Sequence, residues 1–179
     1  CVVNRESVQS MSRALALADA LTGFDVRLAE QPAHCDFKLE HMVFSREKVT
    51  LLDLDSFALA DPLFDLAMLH LRASVAARAG LVGLRAASAV RRAARRAALT
   101  DYGSEAASRF AWLKTCAALQ LAGHFAQNIS PHSAKLCRFA LKIGEKSIAG
   151  AAMPATTSAL LDAVLRVPPA PLLETLSCA

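Results

Sequence analysis

Apolar positions recur at helical spacing along most of the chain. The first such stretch covers residues 7–22, and Gly23 follows it as a stop signal. Its apolar positions lie three or four residues apart, at Val8, Met11, Leu15, Ala18 and Leu21. Further helices are predicted over residues 62–79, 84–99, 104–127, 131–150 and 156–166. Most of the chain is therefore expected to be α-helical.

Polar residues mark the starts of three of these helices. Asp61-Pro62 is the strongest start, because an Asp side chain accepts hydrogen bonds from the free N–H groups of a first turn and Pro fits the first helical position. Ser130-Pro131 marks a second start, and Ser104 is a candidate cap for a third. This pattern gives Asp61 a structural interpretation as a helix cap that requires no chemistry.

The pattern changes between the first and second helices, where two short apolar runs flank a polar turn. After Gln31-Pro32 interrupts regular structure, residues 42–44 and 49–52 are largely apolar and residues 45–48 are polar. Two apolar runs joined by four polar residues predict a β-hairpin. The fold class is therefore expected to be mainly α with a small β-hairpin (α+β).

Two carboxylates lie at the ends of this hairpin. Asp36 precedes its first strand and Asp53 follows its second. Because a hairpin folds back on itself, the two side chains are expected to lie close together. Close carboxylates repel each other unless a proton or a cation lies between them, and a divalent metal ion suits oxygen ligands of this kind. The pattern therefore indicates a metal site.

The spacing of the residues around these two acids is that of a phosphotransferase catalytic centre. Residues 34–41, HCDFKLEH, fit the kinase frame H-x-D-x-x-x-x-N, and Asp53 follows His41 by twelve residues, the distance of a metal-binding Asp. Residues 61–67, DPLFDLA, come next, in place of the D-F-G and A-P-E of protein kinases. This arrangement resembles the aminoglycoside phosphotransferase and choline kinase-like family, strongly over about residues 30–70. The resemblance implies a protein-kinase-like C-terminal lobe.

The resemblance also implies roles for individual residues. Asp36 would be the catalytic base that orients the acceptor hydroxyl, and His34 would brace its loop. Asp53 would hold the metal ion that bridges the phosphates of ATP. Asp61 and Asp65 would be scaffold acids. The implied cofactors are therefore ATP and Mg²⁺.

Four positions depart from the family pattern: Cys35 and Ala60 stand where the family has Gly, Leu39 where it has Pro, and His41 where it has Asn. That Asn would be the second metal ligand. Imidazole is a softer ligand than an amide oxygen and suits Mn²⁺ better than Mg²⁺. Two interpretations of His41 are therefore open: it binds the metal ion, or it only braces the hairpin. Lys38 occupies a place near the transferred phosphate in related kinases, which makes it the candidate cofactor-binding residue. The alternative is a solvated loop lysine without such a role.

A kinase of this type also needs a lobe that holds ATP, with a Gly-rich loop and a strand Lys that pairs with a helix Glu. Only 33 residues precede His34, and they contain neither feature. Residues 1–166 are therefore expected to be the C-terminal lobe alone, with residues 167–179 as a loose tail. Such a lobe would leave the nucleotide open to water, so it is expected to be inactive without an N-terminal lobe.

Acidic and basic residues are unevenly distributed. Residues 1–65 carry 11 acids and 6 bases, whereas residues 66–100 carry seven arginines and no acid. A run of arginines suggests a nucleic-acid or membrane surface, but no aromatic residue is interleaved to stack on bases. A solvated helix face is therefore favoured, with neither partner. The 14 bases and 5 acids of residues 66–179 also favour an alcohol or sugar acceptor over a polycationic aminoglycoside.

The remaining composition excludes several classes of protein. The chain has no long apolar run without charges and no signal-peptide layout. Its five cysteines are widely spaced and form no C-x-x-C pair, which favours reduced thiols over a disulfide framework or a zinc site. A cytoplasmic protein of one domain is expected.

Three functions remain open from the sequence. The resemblance implies an ATP-dependent phosphotransferase that acts on a hydroxyl of a small molecule. The change at His41 and the absence of an ATP lobe leave a non-catalytic, pseudokinase-like binding or regulatory module as the alternative. A basic helical interaction protein that uses residues 72–96 is the third.

Overall fold

The computed structural model describes residues 5–103, 105–127 and 130–151. Most of these residues lie in five helices: α1 (Arg5–Thr22), α2 (Leu63–Arg78), α3 (Leu84–Asp101), α4 (Ala106–Ala126) and α5 (Pro131–Ala149). Between α1 and α2 lie four short strands: β1 (Gln31–Ala33), β2 (Met42–Phe44), β3 (Val49–Leu51) and β4 (Ala58–Ala60). The expected mainly α fold with a small β element is confirmed.

Three expectations lie outside the described residues: the helix over residues 156–166, the tail over residues 167–179 and the Ser104 cap. Among the helices that the structure describes, none is long and apolar enough to cross a lipid bilayer.

The two helix starts that contain Pro form as the capping pattern predicts. Asp61 Oδ1 accepts a hydrogen bond of 2.9 Å from the backbone N–H of Leu63, at the first turn of α2. Ser130 Oγ accepts one of 3.0 Å from the N–H of Ser133 at the start of α5. Both side chains therefore satisfy N–H groups that a helix leaves free.

The helices pack through three clusters of buried side chains. α1, α4 and α5 meet around Leu17, Leu141 and Ile148, each at most 1% exposed. α2 and α4 meet around Leu71, and the third cluster, which joins α2, α3 and α4, includes Phe110. Burial of these side chains stabilises the bundle that carries the segment between α1 and α2.

β2 and β3 form the expected hairpin. They pair antiparallel, with Met42 opposite Leu51. The polar turn between them is closed by a 2.9 Å hydrogen bond from the N–H of Ser45 to the carbonyl of Lys48. The hairpin therefore returns the chain toward the loop that precedes β2.

The second two-stranded sheet corrects the expectation that Gln31-Pro32 interrupts regular structure. β1 pairs antiparallel with β4, with Gln31 opposite Ala60 and Ala33 opposite Ala58. In a two-stranded sheet, each strand has a partner on one side only. Pro, which lacks a backbone N–H, is therefore tolerated where its nitrogen faces the unpaired side. The pairing holds together the two ends of the segment between Ala33 and Ala58, which contains the hairpin.

Candidate active site

The loop that follows β1 is held by a carboxylate of α2. Asp65 accepts hydrogen bonds from two successive backbone N–H groups, that of His34 at 2.7 Å and that of Cys35 at 2.8 Å. Burial raises the pKa of the Asp65 carboxyl, although the two N–H donors oppose this effect. Pairing of β1 with β4 makes the contact possible, because it places the loop beside the start of α2.

A second carboxylate, that of Asp61, is buried at the junction of β4 and α2. Besides capping α2, it accepts a hydrogen bond of 3.1 Å from the backbone N–H of Ala29. Its Oδ2 also lies 3.0 Å from Arg109 Nε on α4. Asp61 therefore combines the predicted helix cap with two contacts to distant parts of the chain.

His34 joins this loop to the end of the hairpin. Its imidazole is buried, and Nε2 donates a hydrogen bond of 2.9 Å to the carbonyl oxygen of Leu52. Its ring stacks on that of His41 at 5.5 Å between centroids and meets Phe37 edge-on at 5.8 Å. These contacts fix the loop relative to the hairpin.

Asp36, His41 and Asp53 converge beside the hairpin. One ligand atom of each lies within 4.8 Å of those of the other two. His41 is buried on the single 3-10 turn Leu39–His41, and its Nε2 lies 2.9 Å from Asp53 Oδ2. The structure thus brings together the two carboxylates at the ends of the hairpin, with an imidazole beside them.

This set of groups fits a divalent cation. Two carboxylates and one imidazole are suitable donors, and the side chain of Asp53 is 49% exposed, which opens the cluster to solvent. The nitrogen donor favours Mn²⁺ over Mg²⁺, which prefers oxygen. His41 Nδ1 is buried and has no hydrogen-bond partner among the described residues, so the ring has an unused nitrogen.

Both oxygens of Asp36 face cations. Oδ2 lies 2.9 Å from Lys38 Nζ, and Oδ1 lies 2.6 Å from Arg72 Nη2. Burial raises the pKa of Asp36, but the hydrogen bond from Lys38 and the charges of Arg72, Lys38 and His41 outweigh this effect, so the pKa is lowered. Asp36 is therefore ionised at neutral pH.

Arg72 is a residue of this site that the sequence motifs do not mark. It lies on α2, seven residues after Asp65. Seven residues are about two helical turns, so both side chains face the same side of α2, toward the loop. The sequence signal that could have indicated Arg72 is an arginine seven residues after the Asp of the D-L-A motif.

The helical bundle carries the loop and the hairpin, and acidic side chains converge beside the hairpin. This arrangement is the one expected of a phosphotransferase domain. The model of the phosphotransferase enzyme family (APH) matches residues 5–113, more than half of the chain. The chain belongs to this family. The match confirms the resemblance to aminoglycoside phosphotransferases and, with the mainly helical fold, the kinase-like fold class. No curated protein and no solved structure matches the chain.

Proposed function

We propose that this domain transfers the terminal phosphoryl group of ATP to a hydroxyl group of a small molecule. Membership of the phosphotransferase family supports a kinase-type transfer reaction. The observation that carries the finer proposal is the convergence of Asp36, His41 and Asp53 within 4.8 Å. Phosphoryl transfer depends on positioning the reactants and on stabilising phosphate charge, and this cluster offers groups for both tasks.

Asp36 would orient the acceptor hydroxyl and accept its proton. A carboxylate oxygen has two lone pairs, so Asp36 can accept a hydrogen bond from a hydroxyl while it stays paired with Lys38 and Arg72. Its lowered pKa makes it a weak base. Proton transfer would therefore come late, because a hydroxyl becomes acidic only as its oxygen bonds to phosphorus.

Asp53 and His41 would hold the metal ion, which when bound neutralises charge on the phosphates of the nucleotide. Lys38 would add a further positive charge. It lies on the same loop as Asp36, and its side chain is 24% exposed, so it can turn from Asp36 toward a phosphate group.

An apolar cavity beside the cluster supports an acceptor without strong positive charge. The cavity, of about 290 Å³, reaches the loop at Leu39 and Glu40, and Arg72, which contacts Asp36, forms part of its wall. The rest of its lining is alkyl, from Leu69, Val82, Val90 and four alanines. An alcohol with a small apolar body would fit here with its hydroxyl near Asp36. A polycationic aminoglycoside would find only one carboxylate in this lining.

Exposed apolar side chains in the hairpin region indicate that another lobe covers it. Large apolar side chains there are exposed, Phe44 by 67% and Leu59 by 71%, and Val49, Leu51 and Phe57 are exposed as well. Exposed apolar groups concentrated in one part of a fold mark a surface that another lobe or partner covers. We propose that a lobe holding ATP packs against this region.

Metal binding tests the cluster and needs only residues of this chain. Titration with Mn²⁺, followed by electron paramagnetic resonance, should show a saturable site that Asp53→Asn weakens strongly. Asp55→Asn is the matched control, because it removes an exposed acid two residues away. Equal weakening by both variants would show that the ion follows net charge and not the cluster.

Turnover in the full-length protein tests the role of Asp36. Transfer from ATP to a panel of alcohols and sugars is measured, and Asp36→Asn should lower kcat by roughly 10²- to 10⁴-fold. Turnover within a few-fold of wild type would remove Asp36 from the role of base. Saturable metal binding with no turnover on any acceptor would favour the non-catalytic alternative.

Metal preference tests His41. If its imidazole binds the ion, Mn²⁺ should support more activity than Mg²⁺, and His41→Asn should reverse this preference. Activity with each metal is compared between about pH 6 and 8, since an imidazole must be neutral to bind a metal. An unchanged preference would leave His41 as a brace of the hairpin only.

A further inference from the structure

A second cavity, of about 240 Å³, lies among α2, α3, α4 and α5. It is on the side of α2 away from the catalytic cluster. His70 lines it, whereas Arg72, two residues further along α2, contacts Asp36. Two residues are about 200° around a helix, so the two side chains point in nearly opposite directions.

The charged groups that line this cavity are all basic. Arg91 of α3, Lys114 of α4 and Lys146 of α5 surround His70 of α2. Within the described part of the chain, no Asp or Glu lines the cavity and none of these three cations forms a salt bridge. The cavity therefore carries positive charge without a matching negative group.

The arginines of α3 differ in their positions relative to this cavity. Arg92 and Arg96 are exposed, as expected for a solvated helix face. Arg91 is half-buried and contributes to the cavity wall. The basic helix therefore has exposed arginines and one arginine that lines the cavity.

Water screens charge poorly at Lys114 and His70, which are partly buried, whereas Lys146 is exposed. Lys114 Nζ is 5.5 Å from the centroid of the Phe110 ring, and His70 meets the same ring edge-on. Burial, and then the charge of Arg95, lowers the pKa of Lys114; burial, Lys114, Arg91 and Arg95 lower the pKa of His70 to about 4. His70 Nδ1 is buried without a hydrogen-bond partner among the described residues. An anion in the cavity would offset this repulsion.

We propose that this cavity binds a small phosphate-bearing anion, at a site separate from the metal cluster. Arg91, Lys114 and Lys146 line the cavity from three different helices, and guanidinium and ammonium groups form strong charge-assisted hydrogen bonds with phosphate oxygens. A phosphate group carries a charge of about −1.5 to −2 at neutral pH, which matches several cations better than a single carboxylate does. The volume of the cavity, about 240 Å³, is enough for a phosphate group. The proposal stands whether or not the catalytic cluster transfers phosphate.

Calorimetric titration of the full-length protein tests the site, with chloride buffer at constant ionic strength. The probes are inorganic phosphate and glycerol 1-phosphate, and we expect saturable binding of at least one. Arg91→Gln and Lys114→Gln should each weaken binding by roughly tenfold or more, since each removes a charged hydrogen-bond donor. Arg96→Gln, an exposed position on the same helix as Arg91, is the matched control and should change the affinity less than about twofold.

A second measurement separates loss of the site from loss of the fold. Lys114→Gln removes one of several crowded positive charges, so the anion-free variant should unfold at the same or a higher temperature than wild type. Phosphate should raise the Tm of wild type but not of this variant. Tighter binding of glycerol 1-phosphate identifies an organic phosphomonoester as the ligand, and equal or tighter binding of phosphate identifies the free ion. No saturable heat with either probe, or equal weakening by Arg96→Gln, would overturn the proposal.

Discussion

Cys35 and Asp53 have left-handed backbone conformations, with φ of 64° and 58°. Asp enters this region readily because its short polar side chain forms local hydrogen bonds, whereas other residues with a Cβ are strained there. Cys35 stands where the related family has Gly, and its backbone N–H is held by Asp65 at 2.8 Å. The bond from α2 therefore stabilises a strained loop directly before Asp36.

Replacement of Cys35 by Gly should stabilise the protein. The left-handed conformation costs a side-chain-bearing residue about 1–2 kcal/mol, and the larger entropy of Gly in the unfolded chain offsets about 0.5–1 kcal/mol of the gain. A net increase of about 0–1.5 kcal/mol in the free energy of unfolding is expected from urea denaturation. Cys35→Ala is the control, because it removes the thiol but keeps the strain. An equal gain in that variant would attribute the effect to the sulfur atom.

His70 should make the stability depend on pH in the acidic range. Its pKa is about 4 in the folded protein because of burial and nearby cations, against an ordinary value of 6.5. Between these values the unfolded state binds a proton that the folded state does not. Stability should therefore fall as the pH falls from about 6.5 to about 4, by up to about 1.4 kcal/mol per pH unit from this residue. In phosphate-free buffer, His70→Gln should show a shallower slope. A slope equal to that of wild type would contradict the assignment.

Two glycines in helices, Gly144 and Gly123, differ in how much space the neighbouring helices leave for a side chain. A Cβ added to Gly144 of α5 would lie 3.1 Å from Ala118 Cβ on α4 and 3.3 Å from Leu17 Cδ1 on α1. A Cβ added to Gly123 of α4 would have no heavy atom within 4 Å apart from its own helix and chain neighbours. A side chain at position 144 would therefore crowd the junction of three helices, whereas one at position 123 would not.

Alanine substitutions at these two positions should have opposite effects. Gly144→Ala should lower the free energy of unfolding by roughly 1 kcal/mol, because overpacking costs about 1–3 kcal/mol and the gain in helix propensity returns about 1 kcal/mol. Gly123→Ala should raise it by up to about 1 kcal/mol, because only the propensity changes. The two variants are compared by thermal and urea denaturation. Stabilisation by Gly144→Ala would show that α5 moves freely away from α4.

The whole molecule combines a well-packed bundle with a lightly packed site. Leu71, Leu141 and Ile148 of the helices are fully buried, whereas Phe44 and Val49 of the hairpin are more than half exposed. Segments with few buried apolar contacts open at lower free energy than the core does. The proposed active site therefore lies in a part of the fold that opens more easily than the helical core.

Hydrogen exchange should show this difference and its response to metal. Backbone amides of β2 and β3 should exchange faster than those of α4 and α5. Addition of Mn²⁺ should slow exchange in the hairpin and leave the two helices unchanged, because a ligand that binds the closed state stabilises it. Asp53→Asn should abolish the effect of Mn²⁺, while Asp55→Asn should retain it. Uniform slowing over the whole chain would mean that the ion binds elsewhere.

Several features of the protein follow from sequence alone. The five described helices lie close to the predicted ranges, and the hairpin has the expected strands and turn. The motif around Asp36 and Asp53 is sufficient to indicate the family. These features depend on signals within about a dozen residues: apolar spacing, capping residues and a reversal of the chain.

Other features required the tertiary structure. The pairing of β1 with β4, the contact of Arg72 with Asp36 and the cavity around His70 all join residues that lie far apart in sequence. β1 is only three residues long and contains Pro, so its local pattern does not indicate a strand. Arg72 and His70 lie in a helix whose local pattern gives no partner for either side chain. Helical periodicity specifies which residues share a face of a helix. It does not specify which other helix packs against that face. That choice depends on the shapes and charges of segments that are distant in sequence, because all of them must pack together.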